Sequence, residues 1–224
     1  KPVLLVCGGG PGIPEYLLEN IYGSVLSKHF VVCYFDYRGT GLSYNKNVDP
    51  NEMTTEKYLS DVDKITEYLK ERFNNKKIYI MGHSFGTYIA LNAVNRHPEK
   101  YVAYLAVSQI TNQHESECRA YDYMIKQYTA KNNSKRISEF KKYPVHDSDE
   151  AYKKYCTSGL RDKAMHELGV GTTRDMNSVI SGIFLRSLKC RAYTIKERIN
   201  IWRGKINANN FVVTNEAFNF NAFK

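Results

Sequence analysis

Short apolar runs alternate with longer amphipathic segments through the first half of the chain. The runs are rich in β-branched and aromatic residues, have the length of buried strands, and lie at residues 3–7, 30–35, 77–81 and 101–107. From Asn51 to Phe73, apolar residues recur every three or four positions, as on one face of a helix. Shorter helical periods follow Pro14 and the third run. This alternation predicts an α/β fold with a parallel sheet.

The pattern changes after Ser108. From about Thr111 to Phe211 the chain is polar and rich in Lys and Tyr, with helical periods and few strand signals. Helical periods stand out at residues 117–129, 149–156 and 177–188, and residues 193–205 look like the end of this region. We therefore predict a sheet core at residues 1–110, a helical region at 111–211, and a terminal segment, 212–224, that leaves the helical region or is frayed.

Composition excludes several classes of function. The 224 residues carry a formal net charge of +9, but the basic residues are spread, and their mild clusters at 131–136 and 141–142 lie among polar and acidic residues. We expect no nucleic-acid partner. No apolar run approaches the length of a membrane span. The five scattered cysteines predict buried thiols in a reducing, cytoplasmic location. No spacing of Cys or His suggests a metal site, and we expect no cofactor.

The segment from Gly82 to Gly86 carries the strongest chemical signal. Its sequence, Gly-His-Ser-Phe-Gly, follows the third predicted strand and precedes a predicted helix. Strand, sharp turn with a serine, and helix are typical of a nucleophile elbow, in which glycines let the strand and helix backbones approach. This pattern predicts Ser84 as a nucleophile and the backbone N–H of Phe85 as a donor to the oxyanion.

Two further loops follow predicted strands. Gly8-Gly9-Gly10-Pro11-Gly12 comes after the first, and residues 36–43, Asp-Tyr-Arg-Gly-Thr-Gly-Leu-Ser, come after the second. With the elbow, these motifs resemble those of α/β-hydrolases of the proline-iminopeptidase type, whose loops have the sequences His-Gly-Gly-Pro-Gly and Asp-Gln-Arg-Gly-x-Gly-x-Ser. The likeness is close over the first half of the chain. It implies an α/β-hydrolase parallel sheet, a helical cap at 111–211, and hydrolysis of ester or amide bonds.

The resemblance also implies roles for the loop residues. The second oxyanion donor would be the N–H of Gly9 or Gly10; the alternative is a tight turn with no ligand. Gly8 stands where the family has His, which we expect to loosen this loop. Tyr37 replaces the family's Gln. We interpret Asp36 and Arg38 as a structural pair that holds the second loop.

A serine nucleophile needs a base to take its hydroxyl proton and a carboxylate to orient that base. Neither group has an evident candidate in this sequence. His83 adjoins the nucleophile, but neighbouring residues on so sharp a turn point apart. In α/β-hydrolases the Asp and His follow the cap. We therefore expect both beyond Lys224, in a chain that lacks the family's first and last strands. A second polypeptide segment would then pair with the strand at 101–107, which we predict to be buried on both faces.

Three classes of function stay open. The first is a serine hydrolase acting on a small molecule or short peptide. The second is a non-catalytic binding protein, or an inactive fragment, with the same fold, and the third is a non-hydrolytic enzyme. Family members hold a substrate amine with acidic residues near a Trp-Glu pair, whereas this chain has Trp202-Arg203. A guanidinium cannot bind an ammonium group, so release of N-terminal proline is doubtful. The tyrosines of the helical region either line an aromatic pocket or fill the core.

Overall fold

The structure of the chain, a computed structural model, describes residues 1–172 and 176–223. Four strands form one parallel sheet in the order β2-β1-β3-β4. Their bounds are Val3–Cys7 (β1), Val31–Tyr34 (β2), Ile78–His83 (β3) and Tyr101–Val107 (β4). The predicted α/β fold with a parallel sheet is confirmed, and the four predicted strands are all present.

The chain divides into two compact units. The sheet unit comprises residues 1–111 together with residues 187 onward, and the helical unit comprises residues 112–186. The sheet unit contains helices Glu15–Tyr22 (α1), Thr55–Arg72 (α2) and Phe85–Arg96 (α3). The helical unit contains Gln113–Ala130 (α4), Ser134–Phe140 (α5), Asp149–Cys156 (α6) and Gly159–Leu168 (α7). A π-helical turn, Ile180–Phe184, leads into α8 (Leu185–Ser187), and Ile195–Ala208 (α9) and Val212–Phe218 (α10) follow.

The core of the sheet unit lies between the sheet and its helices. Every residue of β1 is buried, as a central strand with neighbours on both sides requires. Thr54 caps α2 by accepting the Lys57 N–H, and α2 turns Tyr58, Leu59 and Val62 inward. This packing places the carboxyl ends of all four strands at one edge of the sheet.

The strand β4 differs from its prediction. Val102 is 52% exposed and Val107 is 44% exposed, so β4 is not buried on both faces. Within the described residues β4 pairs with β3 alone, which makes it an edge strand. Completion of the sheet by a further segment stays a prediction.

The C-terminal segment is not frayed where the structure describes it. Phe211 and Val213 are fully buried, and α10 packs in the same core as the sheet. Residues 187–211, which the predicted ranges assigned to the cap, group with the sheet unit for the same reason. Lys224 and residues 173–175, which belong to the predicted terminal and cap ranges, lie outside the described residues.

The helical unit has an aromatic core of its own. Tyr121 contacts Phe140 and Tyr155 with ring centroids 5.2 and 5.0 Å apart. Tyr128 and Tyr152 are also buried, so these tyrosines fill the core of the unit. Glu117 and Arg161 form an ion pair whose Nε–Oε2 distance is 2.7 Å, and the side chain of Glu117 is only 6% exposed. None of the described helices is both long and apolar enough to cross a lipid bilayer.

Candidate active site

Ser84 lies on a sharp turn between β3, which ends at His83, and α3, which begins at Phe85. Its backbone has φ 50° and ψ −120°, a conformation that L-residues rarely adopt. The Ser84 N–H donates to the carbonyl of Val107 at 2.9 Å, which ties the turn to the end of β4. The strand-turn-helix geometry is that of a nucleophile elbow, at the sheet edge where open α/β sheets bind ligands.

The two glycines of the elbow are required by close backbone contacts. A Cβ on Gly86 would lie 1.9 Å from the carbonyl oxygen of Cys7 and 2.6 Å from that of Gly8. A Cβ on Gly82 would lie 2.6 Å from the Cα of Thr87. Since no side chain fits at either position, the first turn of α3 can pack directly against the end of β1.

Thr87 supports the elbow through hydrogen bonds of its side chain, a role that the sequence did not reveal. Its Oγ1 donates to the carbonyl of Ser84 at 2.6 Å and accepts from the N–H of Ile110 at 2.9 Å. The hydroxyl of Tyr104 donates to Gln109 Oε1 at 2.5 Å, and its oxygen lies 3.3 Å from the Thr87 carbonyl oxygen. One buried threonine thus connects the strained turn to the segment that follows β4. A hydroxyl residue in the first turn of the predicted helix was the only signal for it.

The glycine loop after β1 lies against the nucleophile. A Cβ on Gly9 would be 3.2 Å from both the Cβ of Ser84 and the carbonyl oxygen of His83. Gly10 follows with φ 118°, and its carbonyl accepts from Lys205 Nζ of α9 at 3.3 Å. The structure thus brings Gly9 and Ser84 together, with Phe85 next in the chain and Gly10 next in the loop.

Glu15, for which the sequence predicted no role in the site, contacts both the glycine loop and the elbow. The Gly9 N–H donates to its Oε2 at 3.3 Å, and Nδ1 of His83 lies 3.1 Å from each carboxylate oxygen. This carboxylate raises the pKa of His83 above its ordinary value of 6.5, because it stabilises the imidazolium. The signal in the sequence was an acidic residue at the first position of a helix that begins after the loop.

Aromatic side chains and a thiol lie beneath the elbow. Tyr37 is buried, stacks on Tyr58 at 5.0 Å between ring centroids, and meets the edge of Phe85 at 5.7 Å. Cys7 is fully buried, and burial raises the pKa of its thiol to about 12. The thiol therefore stays protonated and is not a competing nucleophile near Ser84.

Comparison with known proteins agrees with this geometry. A family model described as "alpha/beta hydrolase fold" matches residues 2–223. The chain belongs to the α/β-hydrolase family. The family predicted from the three motifs is thereby confirmed.

Individual proteins resemble this α/β-hydrolase in sequence or in structure. A protein of Bacillus subtilis (strain 168) named "Probable aminopeptidase YbaC" is 32% identical over 145 residues, which are 65% of this chain and 42% of that protein. Proline iminopeptidase of Mycobacterium smegmatis has a TM-score of 0.53 at 14% identity, over 98% of this chain and 67% of that one. The structure of VinJ has a TM-score of 0.53 at 15% identity, and the match covers 85% of this chain and 60% of VinJ. The chain therefore spans less than half the length of the aminopeptidase relative.

The loop after β2, residues 36–43, does not contain the predicted pair. Asp36 and Arg38 do not pair with each other. Arg38 instead forms a bidentate ion pair with Asp61 of α2, with two N–O distances of 2.6 Å, and Asp36 accepts the Leu42 N–H at 2.7 Å. The guanidinium of Arg38 thus takes a carboxylate on α2, not the one two positions before it, and burial raises the pKa of Asp36.

No base reaches Ser84 within the described part of the sheet unit. Its histidines are His29, His83 and His97, and none of these three forms a hydrogen bond with Ser84 Oγ. His83 is paired with Glu15. His97 follows α3 at the end remote from Ser84, and its Nδ1 lies 3.4 Å from Glu99 Oε1. Across residues 1–172 and 176–223, no cluster of His, Cys, Asp or Glu is arranged to hold a metal ion.

Proposed function

We propose that Ser84 is the nucleophile of a serine hydrolase that cleaves ester or amide bonds of a small substrate through an acyl-enzyme. The observation that carries this proposal is the strained backbone of Ser84, φ 50° and ψ −120°, at the end of β3 and the start of α3. Strain of this kind costs about 1–3 kcal/mol and persists where function requires it. Membership of the α/β-hydrolase family supports the same chemistry.

The reaction follows from the groups around Ser84. Its Oγ attacks the substrate carbonyl carbon while a base takes the hydroxyl proton, and the carbonyl oxygen becomes an oxyanion. Phe85 is the first residue of α3, so its N–H has no helical acceptor and can donate to that oxyanion. Collapse of the intermediate expels the alcohol or amine, which takes the proton from the base. Water then releases the acid from Ser84. No metal or organic cofactor takes part in these steps.

The second donor in this proposal is Gly10 rather than Gly9. Both belong to the loop that lies against Ser84, but the N–H of Gly9 already donates to the carboxylate of Glu15. A donor that is bound to a carboxylate is poorly placed to stabilise a second anion. The N–H of Gly10 therefore completes the pair with Phe85.

The mechanism also requires a general base and a carboxylate. Their expected place beyond Lys224 stays a prediction, as does the role of the predicted helical region, 111–211, as a cap. The five free cysteines support a reducing location such as the cytoplasm.

For the substrate, we infer a short peptide with a free amino terminus or a small ester. The aminopeptidase relative, at 32% identity, supports the peptide, whereas the exposed Arg203 next to Trp202 argues against the binding of a substrate ammonium by a carboxylate at that position. An alternative is a binding protein that lacks activity, favoured by the absence of a base near Ser84 in the described part of the sheet unit.

The test is covalent labelling with a fluorophosphonate probe, read by intact mass, with Ser84→Ala as the matched control. We expect one adduct on the protein and none on the variant. Aminoacyl p-nitroanilides of alanine and proline, and p-nitrophenyl acetate, then separate peptidase from esterase activity. A protein that forms no adduct and hydrolyses none of these substrates would instead support the binding-protein alternative.

A further inference from the structure

We propose that Glu15 is a positioning residue that ties the glycine loop after β1, residues 8–12, to the nucleophile elbow through Gly9 and His83. This inference rests on the proposed hydrolase function. The sequence predicts a loose loop, because Gly8 stands where the family has His, and the contacts of Glu15 would compensate for that loss. The structure has the side chain of Glu15 beside the position that a larger residue 8 would occupy, since a Cβ on Gly8 would lie 3.3 Å from the Cβ of Glu15.

The peptide plane between Gly8 and Gly9 is held on both of its sides. Its N–H, which belongs to Gly9, donates to Glu15 Oε2 at 3.3 Å. Its carbonyl, which belongs to Gly8, faces Gly86, where a Cβ would come within 2.6 Å of the oxygen. Because the N–H and C=O of a trans peptide point in opposite directions, the carboxylate on one side and α3 on the other fix the orientation of the whole plane. The next peptide along the chain carries the N–H of Gly10.

The elbow is tied to the same carboxylate. His83 Nδ1 lies 3.1 Å from both oxygens of Glu15, and an ionised carboxylate can only accept, so Nδ1 carries the proton. His83 directly precedes Ser84. One side chain therefore links the loop that would supply a donor to the turn that supplies the nucleophile. The side chain of Glu15 is only 15% exposed, which limits competition by water.

The titratable groups near this pair lie on three elements. Glu19, one turn further along α1, has its pKa raised by partial burial and by the charge of Glu15. Tyr37, after β2, and Cys7, at the end of β1, both have raised pKa values because they are buried, and both stay neutral at physiological pH. The imidazole of His83 is the group that faces the carboxylate of Glu15 from the elbow.

The test compares Glu15→Gln with Glu19→Gln. Both changes remove one negative charge from the same helix at nearly constant volume, but only Glu15 contacts Gly9 and His83. Two quantities are measured on each variant of the hydrolytically active protein. The first is kcat and KM for the ester or anilide that the wild type cleaves. The second is the pKa of His83 from the NMR titration of its imidazole Cε1–H, with His83→Gln to assign the resonance.

For Glu15→Gln we expect kcat to fall about tenfold or more with KM within about twofold, because a displaced donor weakens binding of the transition state more than that of the substrate. The His83 pKa should fall toward its ordinary value, because the amide no longer stabilises the imidazolium as the carboxylate does. Glu19→Gln should leave kcat unchanged. Adding His83→Gln to Glu15→Gln should cost less than the sum of the two single losses, because both act through one contact.

Several outcomes would overturn the inference. Equal kcat for Glu15→Gln and the wild type would do so, and so would equal losses in Glu15→Gln and Glu19→Gln, which would indicate a general effect of charge. If Glu15→Gln fails to fold, Glu15→Asp and His83→Gln give the same comparison. Wild-type protein without activity on any ester or amide would instead refute the proposed hydrolase function, and the positioning role with it.

Discussion

Replacement of Gly86 by alanine is the sharpest test of the elbow geometry. The added Cβ would lie 1.9 Å from the carbonyl oxygen of Cys7, 2.5 Å from its carbonyl carbon and 2.6 Å from the carbonyl oxygen of Gly8. All three are backbone atoms, and Cys7 belongs to the fully buried strand β1. No rotamer change can relieve the contact, so α3 must move away from the sheet.

The cost follows from the packing. Overpacking a well-filled core typically lowers the free energy of unfolding by about 1–3 kcal/mol, and a backbone clash leaves no side chain to give way, so we expect about 3 kcal/mol or more. For a chain of this size, each kcal/mol shifts Tm by about 2–4 °C, so we expect Tm to fall by about 6–12 °C. Displacement of α3 should also abolish labelling of Ser84 by the fluorophosphonate probe.

Gly159→Ala is the matched control. Gly159 also lies in a helix, but a Cβ there would meet no atom within 4 Å, and its φ is not positive. Alanine at such a site changes stability by about 0.4–1 kcal/mol, in the stabilising direction, because it restricts the unfolded chain. Thermal unfolding followed by circular dichroism measures both variants.

A Gly86→Ala protein with the Tm of the wild type and normal labelling would refute the reasoning. It would mean that the strand and helix backbones do not approach as closely as the structure has them. Equal loss of stability in both variants would likewise refute it, because it would remove the link between the loss and the close contact.

Two further predictions concern the same turn and the helical unit. Ser84→Gly should be more stable than Ser84→Ala by about 1 kcal/mol in urea unfolding, because glycine relieves about 1–3 kcal/mol of backbone strain at φ 50° and itself costs about 0.5–1 kcal/mol in chain entropy; equal stability would contradict the strain. Glu117→Gln should lower the free energy of unfolding by about 3 kcal/mol, since it leaves the guanidinium of Arg161 without its buried partner. Replacing both Glu117 and Arg161 with apolar residues should recover most of that loss, and an equally unstable double variant would argue against the ion pair as the cause.

Much of the site could be predicted from local patterns. The elbow needs a strand, two glycines around a serine, and a helix, and all of these lie within about 20 consecutive residues, so the sequence carries the whole signal. The strands were recognisable for the same reason, because a buried strand is a short run of apolar residues. The partners of the loops were not predictable. Arg38 pairs with Asp61, which is 23 positions away, and His83 with Glu15, which is 68 positions away.

The edge strand and the C-terminal segment show the limit of local patterns. The apolar sequence of β4 predicted burial on both faces, yet burial depends on which elements lie beside a strand, and β4 has a strand on one side only within the described residues. The terminal segment, 212–224, was predicted to leave the helical region or to be frayed, yet Val213 and Ala217 lie in the core of the sheet unit. A side chain's burial is a property of its neighbours in space.

The sequence by itself determined the four strands with the helices between them, the α/β-hydrolase family, and the position of Ser84 between a buried strand and a helix. These depend on short-range periodicity and on glycines that only a tight turn requires. Only the tertiary structure decided that Glu15 contacts both Gly9 and His83, that Thr87 supports the elbow, and that α10 belongs to the core of the sheet unit. Those contacts join segments distant in the chain, and their geometry is set by the packing of helices on the sheet.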